Sequence, residues 1–252
     1  MAELRRLLIS DNRIKSAVNE NNHISLKPQE IHYITRVMRF RTGEHLHVVD
    51  GKGRIWLSQF IANGLIRLSS NFYNPLCQEI LPKTLVGLAV VIPKQGFDDV
   101  LRMSCELGID VVQPLHSEHG VLNKINEDRF IRWETIINES LEQSERLWKP
   151  ELRNTIGFTD WLNNHTTKGS IAIAATRISD TVPIESYLWN LSKDIEIVWT
   201  LIGPEGGWSR SEIKLALQKG CITVKLGNYI LRTSTASIAA THAMMSWRTN
   251  SI

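Results

Sequence analysis

Two short glycine-rich stretches carry the residues best suited to chemistry. The first, Gly203-Pro204-Glu205-Gly206-Gly207, follows the apolar run Ile195 to Ile202. The second, Leu226-Gly227-Asn228-Tyr229-Ile230-Leu231-Arg232, follows Val224 and Lys225. Both repeat one order: a buried strand, a glycine turn, a helix start. An apolar run bounded by turn residues suits a strand covered on both faces. Glycine admits positive φ and lets a ligand approach the main chain closely. Turns at the carboxyl ends of strands are where open α/β sheets bind ligands. Such turns can hold a small molecule by main-chain N–H and C=O groups. Neither G-x-G-x-x-G nor G-x-x-x-x-G-K-[ST] occurs, which excludes the dinucleotide fingerprint and the P-loop. An isolated Gly-Pro-Glu-Gly-Gly reads more simply as a tight connection; the paired second turn favours a ligand site.

The elements that must position these turns are legible around them. Ser209 and Glu212 have capping-box spacing, and Gly220 follows Leu217-Gln218-Lys219 as a helix stop. Upstream, Leu85 to Pro93 reads as a buried parallel strand. Asp98 is placed to cap a helix with apolar face Val100, Leu101, Ser104 and Leu107, stopped at Gly108. Asp110 to Pro114 is the next strand, followed by a loop holding His116 and His119. No cysteine or carboxylate pattern completes a metal set there, so no metal is expected. Glu127 to Leu147 has helical periodicity, with Trp148-Lys149-Pro150 ending it. Ile156 to Lys168 is expected to be a connecting helix, Ser170 to Thr176 a strand, and Ile184 to Leu191 a short helix. Alternating strands and helices predict an α/β domain with a parallel sheet over residues 83–252.

Residues 1–75 read instead as a small β-rich domain, with a linker from Asn74 to Lys83. Ile31, Ile34, Val37 and Met38 have helical spacing. His45 to Val49 alternates as a strand, and Asp50-Gly51-Lys52-Gly53 turns it into a hairpin. The first 82 residues hold eleven basic and seven acidic side chains, a charge of +4, against −1 for the rest. A basic first third on a neutral remainder suits a polyanionic partner. The chain is 42% hydrophobic and 22% charged, an ordinary soluble composition with no stretch long enough for a membrane span. Met1 to Arg6 leads into no sustained apolar run, so no signal peptide is expected. The three cysteines are scattered, fit a reducing cytoplasm and set up neither disulfides nor zinc spacing.

The paired turns resemble the signature of the SPOUT methyltransferases, and most closely the RsmE family, which methylates N3 of a uridine in small-subunit (16S) ribosomal RNA. That family reads roughly I-G-P-E-G-G-[FWL]-s-x-x-E, then L-G-x-R-I-L-R-x-E-T-A. The resemblance continues in Lys94, Glu106-Leu107-Gly108, Pro114, Arg132-Trp133 and Glu142-Gln143-Ser144. At the N-terminus, His32 to Gly53 is similar to the family's PUA-like RNA-binding β-barrel. The resemblance implies a C-terminal trefoil knot in which Gly227 to Trp247 threads a loop near Gly203–Gly207. It also implies a homodimer, S-adenosyl-L-methionine as cofactor, and small-subunit ribosomal RNA, within the assembled or assembling subunit, as partner. By the same resemblance the cofactor contacts are Thr176, Leu201, Ile202, Gly203, Glu205, Gly206 and Gly207 in the first half. In the second half they are Leu226, Gly227, Ile230, Leu231, Thr235 and Ala236. Arg36, Arg39, Arg41, Lys94, Gln143 and Arg146 are the RNA-binding candidates, the last pair expected to face the sheet. Arg232 is the catalytic candidate, as a guanidinium stabilising charge on the uracil carbonyls; a salt bridge to Glu205 is the competing role.

The chain departs from the family at Met103, His119, Tyr229 and Ser234, where the family has charged residues. Three other readings stay open on residues alone. They are a methyltransferase for another RNA such as transfer RNA, a non-catalytic RNA-binding homologue, and an α/β binding domain with no nucleic acid.

Overall fold

The computed structural model describes residues 4–121, 125–164, 169–175, 178, 180–192 and 194–250. The chain divides into two compact units: Met1–Leu81 with Leu141–Lys149, and Pro82–Ser140 with Pro150–Ile252.

The first unit runs β1 (Arg6–Leu8), α1 (Asp11–Ser16), β2 (His23–Ser25), α2 (Pro28–His32), a π-helical turn (Tyr33–Val37), β3 (His45–Val49), β4 (Arg54–Ile61), β5 (Leu65–Leu68) and β6 (Cys77–Gln78). Its sheet has the order β1-β3-β4-β5-β2, with β6 on β4. Alternation in β3 sends Leu46 and Val48 inward, where they meet Trp56, Phe60, Ile66, Ile14 and Ile34. The β3–β4 hairpin closes on the Asp50 carboxylate, which accepts from the Lys52 and Arg54 amides at 2.7 and 3.1 Å.

Three details here differ from expectation. Ile31 to Met38 is not one α-helix: the Met38 amide donates to the Tyr33 carbonyl, five residues back. That widened turn leaves Val37 59% exposed and puts Arg39 at φ 58, a left-handed conformation uncommon outside glycine. The expected linker contains β6, paired with Arg54 and Ile55. Leu141–Lys149 also belongs to this unit: the Glu142 carboxylate accepts from the Leu8 amide at 2.7 Å, and the Lys149 amide donates to Gly51 O at 2.9 Å.

The second unit runs β7 (Leu85–Val91), α3 (Phe97–Leu107), β8 (Val111–His116), α4 (Glu127–Gln143), β9 (Glu151–Leu152), β10 (Ile156–Gly157), α5 (Phe158–Asn164), β11 (Gly169–Ala174), β12 (Val182–Pro183), α6 (Ile184–Trp189), β13 (Ile197–Ile202), α7 (Arg210–Gln218), β14 (Ile222–Lys225) and α8 (Thr233–Asn250). The sheet order is β10-β8-β7-β13-β11-β14-β12, with β9 on β8, and the pairings are parallel. β7, β8 and β13 are buried almost end to end, as strands covered on both faces must be. Gly87 has a steric reason in mid-strand: a Cβ there would lie 2.4 Å from the Trp199 ring, itself packed edge-on against Trp161. α8 buries its small residues Ala236, Ser237, Ala240 and Thr241 and packs on β7, β13 and α3.

Several boundaries move. α3 starts at Phe97, after Gly96 at φ 82, so Asp98 sits in its first turn and pairs with Arg132 instead of capping. His116 ends β8 and does not lie in the following loop. α4 stops at Gln143 because Glu145 turns at φ 61, ahead of the break expected at Trp148-Lys149-Pro150. Ile156–Gly157 is a strand, and the expected helix is confined to Phe158–Asn164; residues 165–168 lie outside the described ones. α8 begins at Thr233, directly after Arg232. Among the described residues no helix is long and apolar enough to cross a membrane.

Candidate active site

The two glycine turns leave the strands β13 and β14 of the second unit and line one pocket of about 200 Å³. β13 delivers Ile202 and the turn Gly203–Gly207, and β14 delivers Leu226 and the segment to Leu231. Between β13 and β14 stands β11, whose end supplies Ala174 and Ala175 to the wall. The pocket therefore sits at the carboxyl edge of the parallel sheet.

The first turn is braced on every side. Gly207 holds φ 76, where a side chain would be strained, and its amide donates to Pro204 O at 2.9 Å. Trp208 Nε1 donates to Ala174 O at 3.1 Å, tying this turn to the end of β11. A Cβ on Gly203 would press the Trp208 indole at 3.0 Å, and one on Gly206 would meet His119 Cβ at 3.2 Å. His119 Nδ1 lies 3.0 Å from Gly207 O, so it carries the proton and donates to that carbonyl. The capping box is present: Ser209 Oγ accepts from the Glu212 amide, and the buried Glu212 carboxylate accepts from the Ser209 amide at 2.8 Å. Glu212 also accepts from the Glu118 amide at 3.0 Å, which fastens the loop after β8 onto the turn. Ser211 Oγ donates to the Glu118 carboxylate; this bond, and then Ser209, hold its pKa below the usual carboxylate range.

The second turn is open. Tyr229 is 82% and Ile230 67% exposed. Its main anchor is Thr233 Oγ1, which donates to Gly203 O at 3.0 Å and so links the start of α8 to the first turn.

Of the expected cofactor contacts, Ile202, Gly203, Glu205, Gly206, Gly207, Leu226, Ile230, Leu231 and Ala236 line the pocket. Leu201 does not; it is buried in the core beneath. Gly227 and Thr235 also fall outside the lining, and Thr176 lies outside the described residues. Sequence reasoning missed Trp208 and Thr233, whose side chains lock the two turns, and Ala174, Ala175, Ile178 and Ile213. The aromatic directly after Gly207 was the signal available for Trp208.

Arg232 is exposed and makes no ion pair among the described residues. The salt bridge to Glu205 is not formed: Glu205 Oε1 accepts from the Lys94 amide at 3.0 Å instead. That bond puts exposed Lys94 beside the first turn. Arg36 and Arg41 are exposed in the first unit, and Arg39 lies between them. Gln143 and Arg146 belong to the first unit as well. Among the described residues no group of three or more His, Cys, Asp or Glu side chains could hold a metal ion.

Comparison with known proteins gives this geometry its family. A model of the RNA methyltransferase domain matches residues 81–245, and one of the RNA methyltransferase PUA domain matches residues 26–65. Ribosomal RNA small subunit methyltransferase E from a Synechocystis strain is 33% identical, over 93% of this chain and 75% of that protein. The chain belongs to this methyltransferase E family. The Buchnera aphidicola (subsp. Schizaphis graminum) member is 31% identical over 92% of this chain and 93% of its own length. Among solved structures, the Neisseria gonorrhoeae member, crystallised with S-adenosyl methionine, has a TM-score of 0.79 at 25% identity, covering 97% of this chain and 98% of that one. A Legionella pneumophila methyltransferase has a TM-score of 0.82 at 23% identity, covering 97% of this chain and 98% of that one, a likeness of fold.

Proposed function

We propose that the chain methylates N3 of a uridine in small-subunit ribosomal RNA, using S-adenosyl-L-methionine held between the two glycine turns. The observation that carries the reading is the convergence of both turns on one pocket in a chain of this family. The residues fit the cofactor: main-chain groups at Gly203–Gly207 and Leu226–Leu231 offer hydrogen bonds to a purine and a ribose. Ile202, Leu226 and Leu231 supply apolar walls, and Ala236 leaves room where α8 passes. The bound cofactor supplies an activated methyl group on its sulfonium sulfur. The protein's task is to exclude water and align the nucleophile.

Uridine N3 gives up its proton to solvent before or during attack, and the negative charge that develops spreads over the two flanking carbonyl oxygens until the methyl group arrives and the thioether leaves. Arg232, between the pocket-lining residues Leu231 and Thr233, is the donor suited to both oxygens, because a guanidinium stays charged and presents a planar fork. Lys94 and the arginines Arg36, Arg39 and Arg41 supply phosphate contacts that position the RNA, with Gln143 and Arg146 as further contacts. The same reading includes the threaded knot around α8, a homodimer and a cytoplasmic setting.

The test is incubation of purified small ribosomal subunits, and separately transfer RNA, with methyl-labelled cofactor, followed by nucleoside analysis. Label recovered as 3-methyluridine in the small-subunit RNA supports the reading. Label in transfer RNA alone, on a ribose, or nowhere overturns it.

A further inference from the structure

The first unit holds a second crevice, of about 360 Å³, from which the methyl-transfer reading uses Gln143 alone. One wall is the π-helical turn and the residue after it, which contribute Tyr33, Val37 and Met38. Another is Arg5 and the first residue of β1, Arg6; Gln143 closes a third side.

Four features set this crevice apart from ordinary surface relief. A π-helical turn is a rare, strained element that recurs at functional sites, and here Arg39 follows it in the left-handed region. The turn holds Val37 outward at 59% exposure, an apolar side chain on a basic surface. Arg5 Nη1 donates to Met38 O at 2.8 Å, which fixes the end of the turn against the lead into β1. Arg6 spends its two terminal nitrogens on Glu145, one on the carbonyl and one on the carboxylate, and leaves Nε–H buried with no partner among the described residues. A buried donor without an acceptor costs free energy that a ligand oxygen would recover.

The lining selects the ligand. Glu142 and Glu145 border the crevice, so a bare phosphate would meet two carboxylates there. A neutral planar group with carbonyl acceptors and an apolar face avoids that repulsion. It can lie against Tyr33 and Val37, accept from Arg6, and exchange hydrogen bonds with Gln143. Unpaired nucleobases have this chemistry, and proteins take them from single-stranded RNA by stacking on aromatic and guanidinium planes. We infer that this crevice receives one unpaired nucleobase of the RNA substrate, a recognition point separate from the methylated base. The inference rests on the RNA-substrate reading above.

The experiment uses the full-length protein, small-subunit ribosomal RNA, and ultraviolet crosslinking read by mass spectrometry, beside the affinity of wild type and Val37→Trp. Val37 is exposed, so tryptophan can fill the crevice without disturbing the core; unchanged cofactor affinity in the variant verifies the fold. The expected result is a single-nucleotide adduct on the peptide holding Tyr33 to Met38. It is lost in Val37→Trp together with about tenfold in RNA affinity, and free nucleosides compete where inorganic phosphate does not. Crosslinks confined to other peptides with unchanged affinity, or competition by phosphate alone, would overturn the inference and leave the methylation reading standing. A wild-type protein that takes up cofactor but does not bind this RNA would overturn both.

Discussion

The two glycine turns obey the same sequence grammar yet are held quite differently. Gly203–Gly207 is fixed by the Trp208 indole, the His119 ring, the Lys94 amide and a capping box. Leu226–Arg232 stands with Tyr229 and Ile230 exposed, and Thr233 at its far end reaches back to Gly203. A turn that must present main-chain groups to a small rigid ligand does so best when it is already rigid, since binding then orders less of the chain. A turn that must also meet a large RNA has to leave its side chains uncovered. On the proposed function, cofactor geometry falls to the first turn and contact with the reacting base to the second.

The strongest way to break that assignment is Arg232→Lys. It keeps the charge and loses the fork, so the single-turnover rate at saturating cofactor should fall about 100- to 1000-fold. Cofactor affinity and melting temperature should hold, because Glu205 is already satisfied by the Lys94 amide. Gly207→Val attacks the other side. Its φ of 76 is strained for a branched residue, so calorimetry should find cofactor binding weakened by about tenfold to 100-fold, with helix content retained. Replacing Arg36 and Arg39 together with alanine should weaken RNA binding and reduce the slope of log affinity against log salt by roughly two. Methyl transfer at saturating RNA should be unchanged.

The smallest effects belong to the braces. His119→Ala removes one hydrogen bond to Gly207 O, and cofactor affinity should fall only a few-fold, on the scale of about 1 kcal/mol. Glu118 has a folded pKa below its ordinary value because Ser211 and Ser209 hydrogen-bond the charged form. Its contribution is therefore present above the ordinary carboxylate pKa and lost as pH falls through the lowered folded value. Ser211→Ala should remove that part of the acid dependence of the melting temperature, measured by thermal melts across the acid range.

Much of the site is legible in the sequence because it is local. Apolar runs ending in Gly203 and Gly227 mark the strands, and Ser209-x-x-Glu212 marks the helix start. What is not legible depends on contacts across the sheet or on backbone choices that several sequences permit. The place of Trp208 directly after Gly207 marks it in the sequence, but only the proximity of β11 shows its N–H tying the pocket wall. Ile31 to Met38 has helical spacing, and nothing in it distinguishes five-residue from four-residue hydrogen bonding, so the spacing alone does not reveal that Val37 is exposed. The grouping of Leu141–Lys149 with the first unit rests on partners distant in sequence, such as the Leu8 amide and Gly51 O. The family resemblance makes Leu201 a cofactor contact, but strand alternation buries it beneath the pocket.

The contrast between the turns is most directly tested by amide hydrogen exchange on the full-length protein, with and without saturating S-adenosylmethionine. The account predicts a large gain in protection across residues 226–232, which are open in the free chain. It predicts a smaller gain across residues 203–207, which are already braced, and none in the first unit. Protection unchanged in 226–232, or appearing instead away from both turns, would contradict it.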